Sequence, residues 1–182
     1  GLVAGLKGDP ELEPELSGYR YLSPAAAEYA DLDLDPRVRE VLAERGIERL
    51  FTHQAEAISA VRRGEDVVAM TPTASGKSLV YNLPVMEDAL AEPGARALYV
   101  FPLKGLERDQ VEGLNDLLDA LELRPEPRPR ERAPLAGAEV YDGDTPGHRR
   151  RKIRERPPTA LFTNPDMLHL ALLPHHRQWT EF

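Results

Sequence analysis

The stretch that decides the fold is Asp66-Val67-Val68-Ala69-Met70, followed at once by Thr71-Pro72-Thr73-Ala74-Ser75-Gly76-Lys77-Ser78. The first part is a short, nearly continuous apolar run, which is typical of a buried parallel strand. Residues 77–91 then predict a helix. A loop between a strand and a helix is the context that a phosphate-binding loop requires. Because the consensus begins with Gly where this chain has Thr71, the match is partial, and an ordinary strand-to-helix turn is the alternative.

The residues that end this loop each have a use in phosphate binding. Backbone N–H groups around Gly76 would point at the phosphates, and the dipole of the following helix would favour their charge. Lys77 would reach the β- and γ-phosphates, and Ser78 would offer its hydroxyl to Mg²⁺. We therefore predict Lys77 and Ser78 as catalytic residues, with Ser78 as the metal contact. The predicted nucleotide-binding residues of the loop are Thr73, Ala74, Ser75, Gly76, Lys77 and Ser78.

Alternating strands and helices continue on both sides of this loop. Downstream, we predict strands at 96–101, 138–141 and 159–163, and helices at 106–121, 145–155 (capped by Asp144) and 166–173. Upstream, we predict helices at 36–45, with Asp35 as N-cap and Gly46 as stop, and at 52–63, which buries Ala55, Ile58 and Val61 and ends at Gly64. This alternation predicts an α/β fold with a parallel sheet. Residues 1–35 read as an N-terminal arm, and the Pro- and Arg-rich residues 124–137 read as an insertion.

Composition excludes several classes of protein. The chain has 182 residues, a formal net charge of −8 and no cysteine, so it contains neither disulfides nor cysteine-bound metal. No apolar run approaches the ~20 residues of a membrane span, and no basic and then apolar leader begins the sequence. We expect a cytoplasmic protein that does not associate with membranes.

Five segments, taken in order, resemble the first RecA-like lobe of superfamily 2 DEAD/DEAH-box helicases, most closely the bacterial DNA-repair branch of the mitomycin repair factor A type. The segments are Phe51-Thr52-His53-Gln54, the loop 71–78, Pro102-Leu103-Lys104-Gly105-Leu106, Tyr141-Asp142-Gly143-Asp144-Thr145-Pro146 and Thr163-Asn164-Pro165-Asp166-Met167-Leu168. The resemblance covers residues 36–182. It implies a P-loop NTPase lobe of an ATP-dependent helicase or translocase that uses ATP and Mg²⁺ and acts on nucleic acid, single-stranded or forked DNA more than RNA.

The resemblance also implies roles for individual residues. Gln54 would read adenine through its amide; a solvated residue at the helix start is the alternative. His53, from its position alone, is expected to pack at the start of its helix rather than to contact nucleotide. The implied nucleic-acid contacts are Lys104, Gly105, Gly143, Asp144, Thr163 and Asn164. Gln110 matches a family glutamine and is otherwise a surface residue.

Three further features of the sequence do not indicate a function by themselves. The basic residues between Arg149 and Arg156 are either a nucleic-acid patch or a solvated helix face. His175 and His176 lack a third ligand nearby, so we predict no metal site there. Trp179 is expected to pack in the core or at a lobe interface rather than to stack on a base.

The Asp-Glu pair that the family uses to hold Mg²⁺ and position water has no counterpart before Phe182. We therefore expect this chain to be a front portion of the motor, to expose an apolar sheet edge, and to hydrolyse ATP negligibly by itself. A non-enzymatic nucleotide- or nucleic-acid-binding module is the alternative. A P-loop kinase of small molecules is a third possibility, in which residues 124–137 would form the lid.

Overall fold

The computed structural model describes residues 27–71, 75–92, 94–121 and 135–179, together with Phe182. Thr73 and Ala74 of the predicted phosphate loop lie outside the described residues. So do most of the predicted arm and most of the predicted insertion.

The first described part is a small helical unit held by a short antiparallel ladder. Strand β1 (Tyr29–Ala30) pairs with β2 (Leu50–Phe51), and the helices are α1 (Pro36–Glu44) and α2 (Thr52–Arg62). Asp35 caps α1 by accepting a hydrogen bond from the backbone N–H of Arg37 at 2.9 Å, as its position before a helix predicts. Both predicted helices are confirmed. Val61, expected in the core, is 36% exposed, so that prediction is wrong.

A three-stranded parallel sheet forms the second part, which confirms the predicted α/β class. The strands are β3 (Ala97–Val100), β4 (Leu135–Val140) and β5 (Pro158–Thr163), and their order is β3-β5-β4. Helix α3 (Lys77–Ala91) leads into β3, α4 (Lys104–Ala120) lies between β3 and β4, and α5 (Gly147–Glu155) lies between β4 and β5. Gly137, at φ 112°, lies at a register shift between β4 and β5, where a glycine tolerates the bulge.

The central strand β5 is buried on both faces, as its apolar sequence predicts. Phe162 stacks on Tyr99 with 4.3 Å between ring centroids, on the face covered by α3 and α4. Leu161 points to the other face and packs in a smaller cluster with Ile153 and Trp179. The predicted core position of Trp179 is therefore confirmed.

The apolar run at 66–70 does not form a strand, so that prediction is wrong. Val68 is 85% exposed and Met70 is 90% exposed. An apolar run of this kind signals burial on both faces, which neighbouring strands must supply through pairing. Among the described residues the run pairs with no strand.

The end of the chain and the start of α5 also differ from expectation. Helix α6 (Pro165–Met167) continues into a π-helical turn at Leu168–Leu172 and a 3₁₀ helix at Leu173–Gln178. Pro146 occupies the N-cap position of α5, so the predicted cap at Asp144 is wrong. The backbone N–H of Asp144 donates instead to Asp142 Oδ1 at 3.0 Å. Within the described ranges, no helix is long and apolar enough to cross a bilayer.

Candidate nucleotide and nucleic-acid sites

The phosphate loop, defined here as residues 71–78, contains a glycine that the local geometry requires. Gly76 is the N-cap of α3 and has φ 71° and ψ 29°, a left-handed conformation that other residues adopt at a cost. A Cβ on Gly76 would also overlap Nε2 of Gln54. Glycine is thus needed both for the backbone turn and for the close approach of a side chain.

Lys77 turns its amine back into the loop. Its Nζ donates to the backbone oxygen of Thr71 at 2.7 Å and reaches Oγ of Ser75 at 3.5 Å. The hydroxyls of Thr71 and Ser75 share a hydrogen bond of 2.6 Å. The loop therefore concentrates a cation and two hydroxyls at the start of α3. To bind a phosphate, Lys77 Nζ would have to replace one of these contacts with a contact to a phosphate oxygen.

Ser78 is half-buried in the first turn of α3. Its hydroxyl oxygen is a ligand type that suits Mg²⁺, which is commonly held by few protein ligands together with substrate phosphates and water. Within the described ranges, no group of three or more His, Asp or Glu side chains could hold a metal ion. The role of Ser78 as a Mg²⁺ contact stays a prediction.

Gln54 connects α2 to the phosphate loop. Its side chain is 2% exposed; Oε1 accepts from the Phe51 N–H and Nε2 donates to the Gly76 backbone oxygen, both at 2.9 Å. Since the backbone engages both ends of the amide, an adenine that used the predicted contact would have to share or replace one of these partners. The adenine role of Gln54 stays a prediction, whereas its contact with the loop is a feature of the structure.

His53 packs at the start of α2. Its ring stacks on Phe51 with 5.7 Å between centroids, and Nε2 lies 3.2 Å from the Ser75 backbone oxygen. Both contacts are within the protein, as the packing interpretation of His53 expects.

A second site forms where the three parallel strands end. Register pairs Val100 of β3 with Thr163 of β5, and Val140 of β4 with Phe162, so the chain leaves all three strands at one edge of the sheet. The segments that follow begin α4 at Lys104 and Gly105, form a turn at Gly143 and Asp144, and begin α6 after Asn164. This is the edge at which open parallel sheets bind ligands. The predicted nucleic-acid residues therefore converge there.

Two of these residues already have partners in the protein. Asn164 Oδ1 accepts from the backbone N–H of Met167 at 2.9 Å and so caps α6. The Thr163 side chain is fully buried, and its hydroxyl donates to the Tyr141 backbone oxygen at 2.7 Å. Thr163 thus fastens the end of β4 to β5, and a direct phosphate contact by its hydroxyl would require it to leave that partner.

The turn at residues 141–145, called the 141–145 turn below, is held by a network that the sequence analysis missed. Asp142 Oδ1 accepts from the backbone N–H of Asp144 at 3.0 Å and of Thr145 at 2.9 Å. Thr145 Oγ1 accepts in return from the Asp142 N–H at 3.0 Å. Asp and Thr side chains commonly close turns on nearby backbone groups, so the Asp-x-x-Thr spacing was the available signal.

Gln110, left between a family role and a surface position, links two helices. It is half-buried and accepts a hydrogen bond of 2.8 Å from the Tyr81 hydroxyl, which joins α4 to α3. The neighbouring Tyr99 hydroxyl donates to Asn82 Oδ1 at 3.0 Å. Burial raises the pKa of both tyrosines, so their hydroxyls remain protonated donors at neutral pH. The helix that starts at the phosphate loop is thus tied to the helix that starts at Lys104.

Comparisons with known proteins cover most of this chain. The DEAD/DEAH box helicase family model matches residues 51–181. The uncharacterised ATP-dependent helicase YprA of Bacillus subtilis is 38% identical over 98% of this chain. ATP-dependent helicase HRQ1 of Saccharomyces cerevisiae is also 38% identical, over 74% of the chain. The chain spans 22% of the length of the first and 12% of the second.

Solved structures show the same relationship. The crystal structure of the DUF1998 helicase MrfA bound to DNA and AMPPNP is 40% identical to this chain, with a TM-score of 0.78 over 88% of it and 21% of that protein. The helicase Lhr of Mycobacterium smegmatis bound to ssDNA and AMP-PNP is 33% identical, with a TM-score of 0.61 over 76% of the chain and 18% of that protein.

Proposed function

Because the chain belongs to the DEAD/DEAH box helicase family, we propose that it is the ATP-binding front part of a cytoplasmic, ATP-dependent helicase or translocase. Its nucleic-acid partner in this proposal is DNA, in single-stranded or forked form. The similar structures of MrfA and Lhr were determined with DNA or ssDNA and an ATP analogue, which supports both ligands. Since the chain is a fraction of its relatives' length, the activity belongs to the full-length protein.

One observation carries the proposal: three segments with predicted nucleic-acid residues meet at one edge of a sheet in a chain that also contains a phosphate loop. Lys77 supplies a cation for the β- and γ-phosphates, and Ser78 would contribute an oxygen ligand to Mg²⁺. When bound, that ion would neutralise charge on the phosphates. Gln54 donates a hydrogen bond to the Gly76 backbone oxygen, so an adenine bound to Gln54 would be linked to the phosphate loop through this contact.

At the other site, a strand of DNA would lie across the sheet edge and meet Lys104, Gly143 and Asn164. Phosphate contacts of this kind hold the strand without reading its sequence. The ties between α3 and α4, through Tyr81 and Gln110, give the two sites a shared support.

The test is ATP hydrolysis by the full-length protein, with and without single-stranded DNA. We expect stimulation by DNA, and we expect Lys77→Ala to abolish it. Arg63→Ala is the control, because it removes a cation from an exposed ion pair outside both candidate sites. A protein that binds ATP and DNA but shows no stimulated turnover would instead be a non-enzymatic binding module. Turnover that survives Lys77→Ala would overturn the assignment of the phosphate loop.

A further inference from the structure

The basic stretch of α5 separates into two groups. Arg149 forms an exposed ion pair with Glu139, and Arg151 forms one with Glu155. Arg150 and Arg154, four residues apart on one face of the helix, turn inward instead and contact the 141–145 turn. The stretch is therefore not one uniform basic patch.

The Arg150 side chain binds backbone oxygens of the turn. Nη2 donates to the Asp142 backbone oxygen at 2.6 Å and to the Gly143 backbone oxygen at 2.9 Å. Its guanidinium also lies over the Tyr141 ring, 5.6 Å from the centroid. Arg154 supports the same ring by donating to the Tyr141 hydroxyl at 2.9 Å. A planar guanidinium can stack and donate at once, which a lysine ammonium cannot reproduce.

This contact fixes the direction of a backbone donor. In a trans peptide the C=O and the following N–H point in opposite directions, and the chain has no cis peptide among its described residues. Since the Asp142 oxygen points towards α5, the Gly143 N–H points away from it. Gly143 is itself exposed and follows β4 at the edge where the three strands end.

We propose that Arg150 is a positioning residue for nucleic-acid binding: it holds the Asp142 and Gly143 oxygens inward so that the Gly143 N–H meets a phosphate of the bound strand. The proposal rests on the proposed function, because it assumes that a strand crosses this sheet edge. It assigns Arg150 a role through the turn, without contact between its own side chain and the strand.

The experiment measures the affinity of the full-length protein for fluorescein-labelled oligothymidylate at several salt concentrations. The variants are Arg150→Ala, Arg150→Lys and, as a matched control, Arg151→Ala, which loses the same charge from an exposed ion pair. We expect Arg150→Ala and Arg150→Lys both to weaken binding about tenfold, the loss of one hydrogen bond to a charged group. Arg151→Ala is expected to stay within about twofold of the parent.

The salt dependence separates positioning from direct contact. A side chain that neutralises a phosphate contributes about 0.7 to the slope of log affinity against log salt for single strands. We expect both Arg150 variants to keep the parent slope, because the lost contact is a neutral N–H. We also expect unchanged ATP hydrolysis without DNA and a higher DNA concentration for half-maximal stimulation, whereas general destabilisation would lower both activities.

Two results would overturn the proposal. Full recovery of affinity in Arg150→Lys would show that charge alone matters, and a slope reduced by about 0.7 in Arg150→Ala would show direct phosphate contact. Asn164→Asp distinguishes failure of the positioning role from failure of the proposed function. If Asn164→Asp weakens binding and Arg150→Ala does not, only the positioning role of Arg150 is wrong. If neither weakens it, the strand does not cross this edge.

Discussion

The phosphate loop and the 141–145 turn contrast in how their polar groups are satisfied. In the 141–145 turn, Asp142, Thr145 and Arg150 engage the backbone oxygens and N–H groups on its inner side. In the phosphate loop, Lys77 donates to the loop's own Thr71 oxygen, and the run that precedes the loop is exposed. One turn is supported by a paired sheet, and the other follows a segment without a strand partner among the described residues.

Under the proposed function, the two regions would bind phosphate in different ways. The internal hydrogen bonds of the 141–145 turn would lower the entropy cost of ordering it around a bound strand. The phosphate loop would have to exchange internal contacts of Lys77 and Gln54 for contacts with nucleotide. We therefore expect nucleotide to change the loop's hydrogen bonding more than DNA changes the turn.

The largest effect should come from comparing two apolar segments, the paired central strand β5 and the run at 66–70, unpaired among the described residues, that precedes the phosphate loop. Phe162 is fully buried in β5 and stacks on Tyr99, so Phe162→Ala should cost about 3–5 kcal/mol of unfolding free energy. Val68 is 85% exposed, so Val68→Ala should stay within about 0.5 kcal/mol. Urea unfolding of the chain measures both. A cost for Val68→Ala close to that of Phe162→Ala would mean that the run at 66–70 is buried after all.

An intermediate effect is expected within the 141–145 turn. Asp142→Ala removes the acceptor for the N–H groups of Asp144 and Thr145, which should cost about 2–3 kcal/mol since Asp142 is 5% exposed. Asp142→Asn keeps Oδ1 and serves as control, with an expected loss below about 1 kcal/mol. Equal losses in the two variants would show that the carboxylate charge, rather than the hydrogen bonds, stabilises the turn.

The smallest effect concerns the cap of α1, far from both sites in sequence. Hydrogen bonds from Arg37 lower the pKa of Asp35 to about 2 from the ordinary 3.8. The ionised carboxylate thus favours the folded state above pH ~4, and its contribution is lost as the pH falls from ~4 towards ~2. The midpoint temperature of thermal unfolding should accordingly fall less over this pH range for Asp35→Asn than for the parent chain. Parallel pH profiles for the two proteins would contradict this.

Much of the fold follows from local sequence signals. Helices α1 and α2 end near Gly46 and Gly64, whose positive φ values match the helix stops expected of glycine. Strand β5 has an apolar run and two paired neighbours, so its pattern and its structure agree. The run at 66–70 has the same kind of pattern without a described partner. Pattern predicts what a segment can bury, whereas pairing depends on residues elsewhere in the chain.

The candidate sites were predictable only where a local sequence pattern marks them. Gly76 and Lys77 belong to a contiguous motif, and the structure places them at the start of α3. The role of Arg150 could not be read in this way, because neighbouring arginines of one stretch differ only in the helix face that they occupy. Asp144 was predicted as a cap from its position. In the structure Thr145 bonds to Asp142 within the turn, and the helix begins later, with Pro146 as its N-cap.

In the proposed function, nucleotide and nucleic acid bind two different parts of this chain. The most direct measurement is a crossed binding assay on the full-length protein, with a fluorescent ATP analogue and labelled single-stranded DNA. The variants are Lys77→Ala and Asn164→Asp, and the latter keeps the oxygen that caps α6. Gln178→Glu, at an exposed position, controls for the added charge.

We predict that Lys77→Ala weakens ATP binding about 10- to 100-fold, the loss of one charged contact, and leaves DNA affinity near the parent value. Asn164→Asp should weaken DNA binding and leave ATP affinity unchanged, and Gln178→Glu should alter neither. If each variant reduced both affinities equally, or if Lys77→Ala impaired only DNA binding, the assignment of two separate sites would be contradicted.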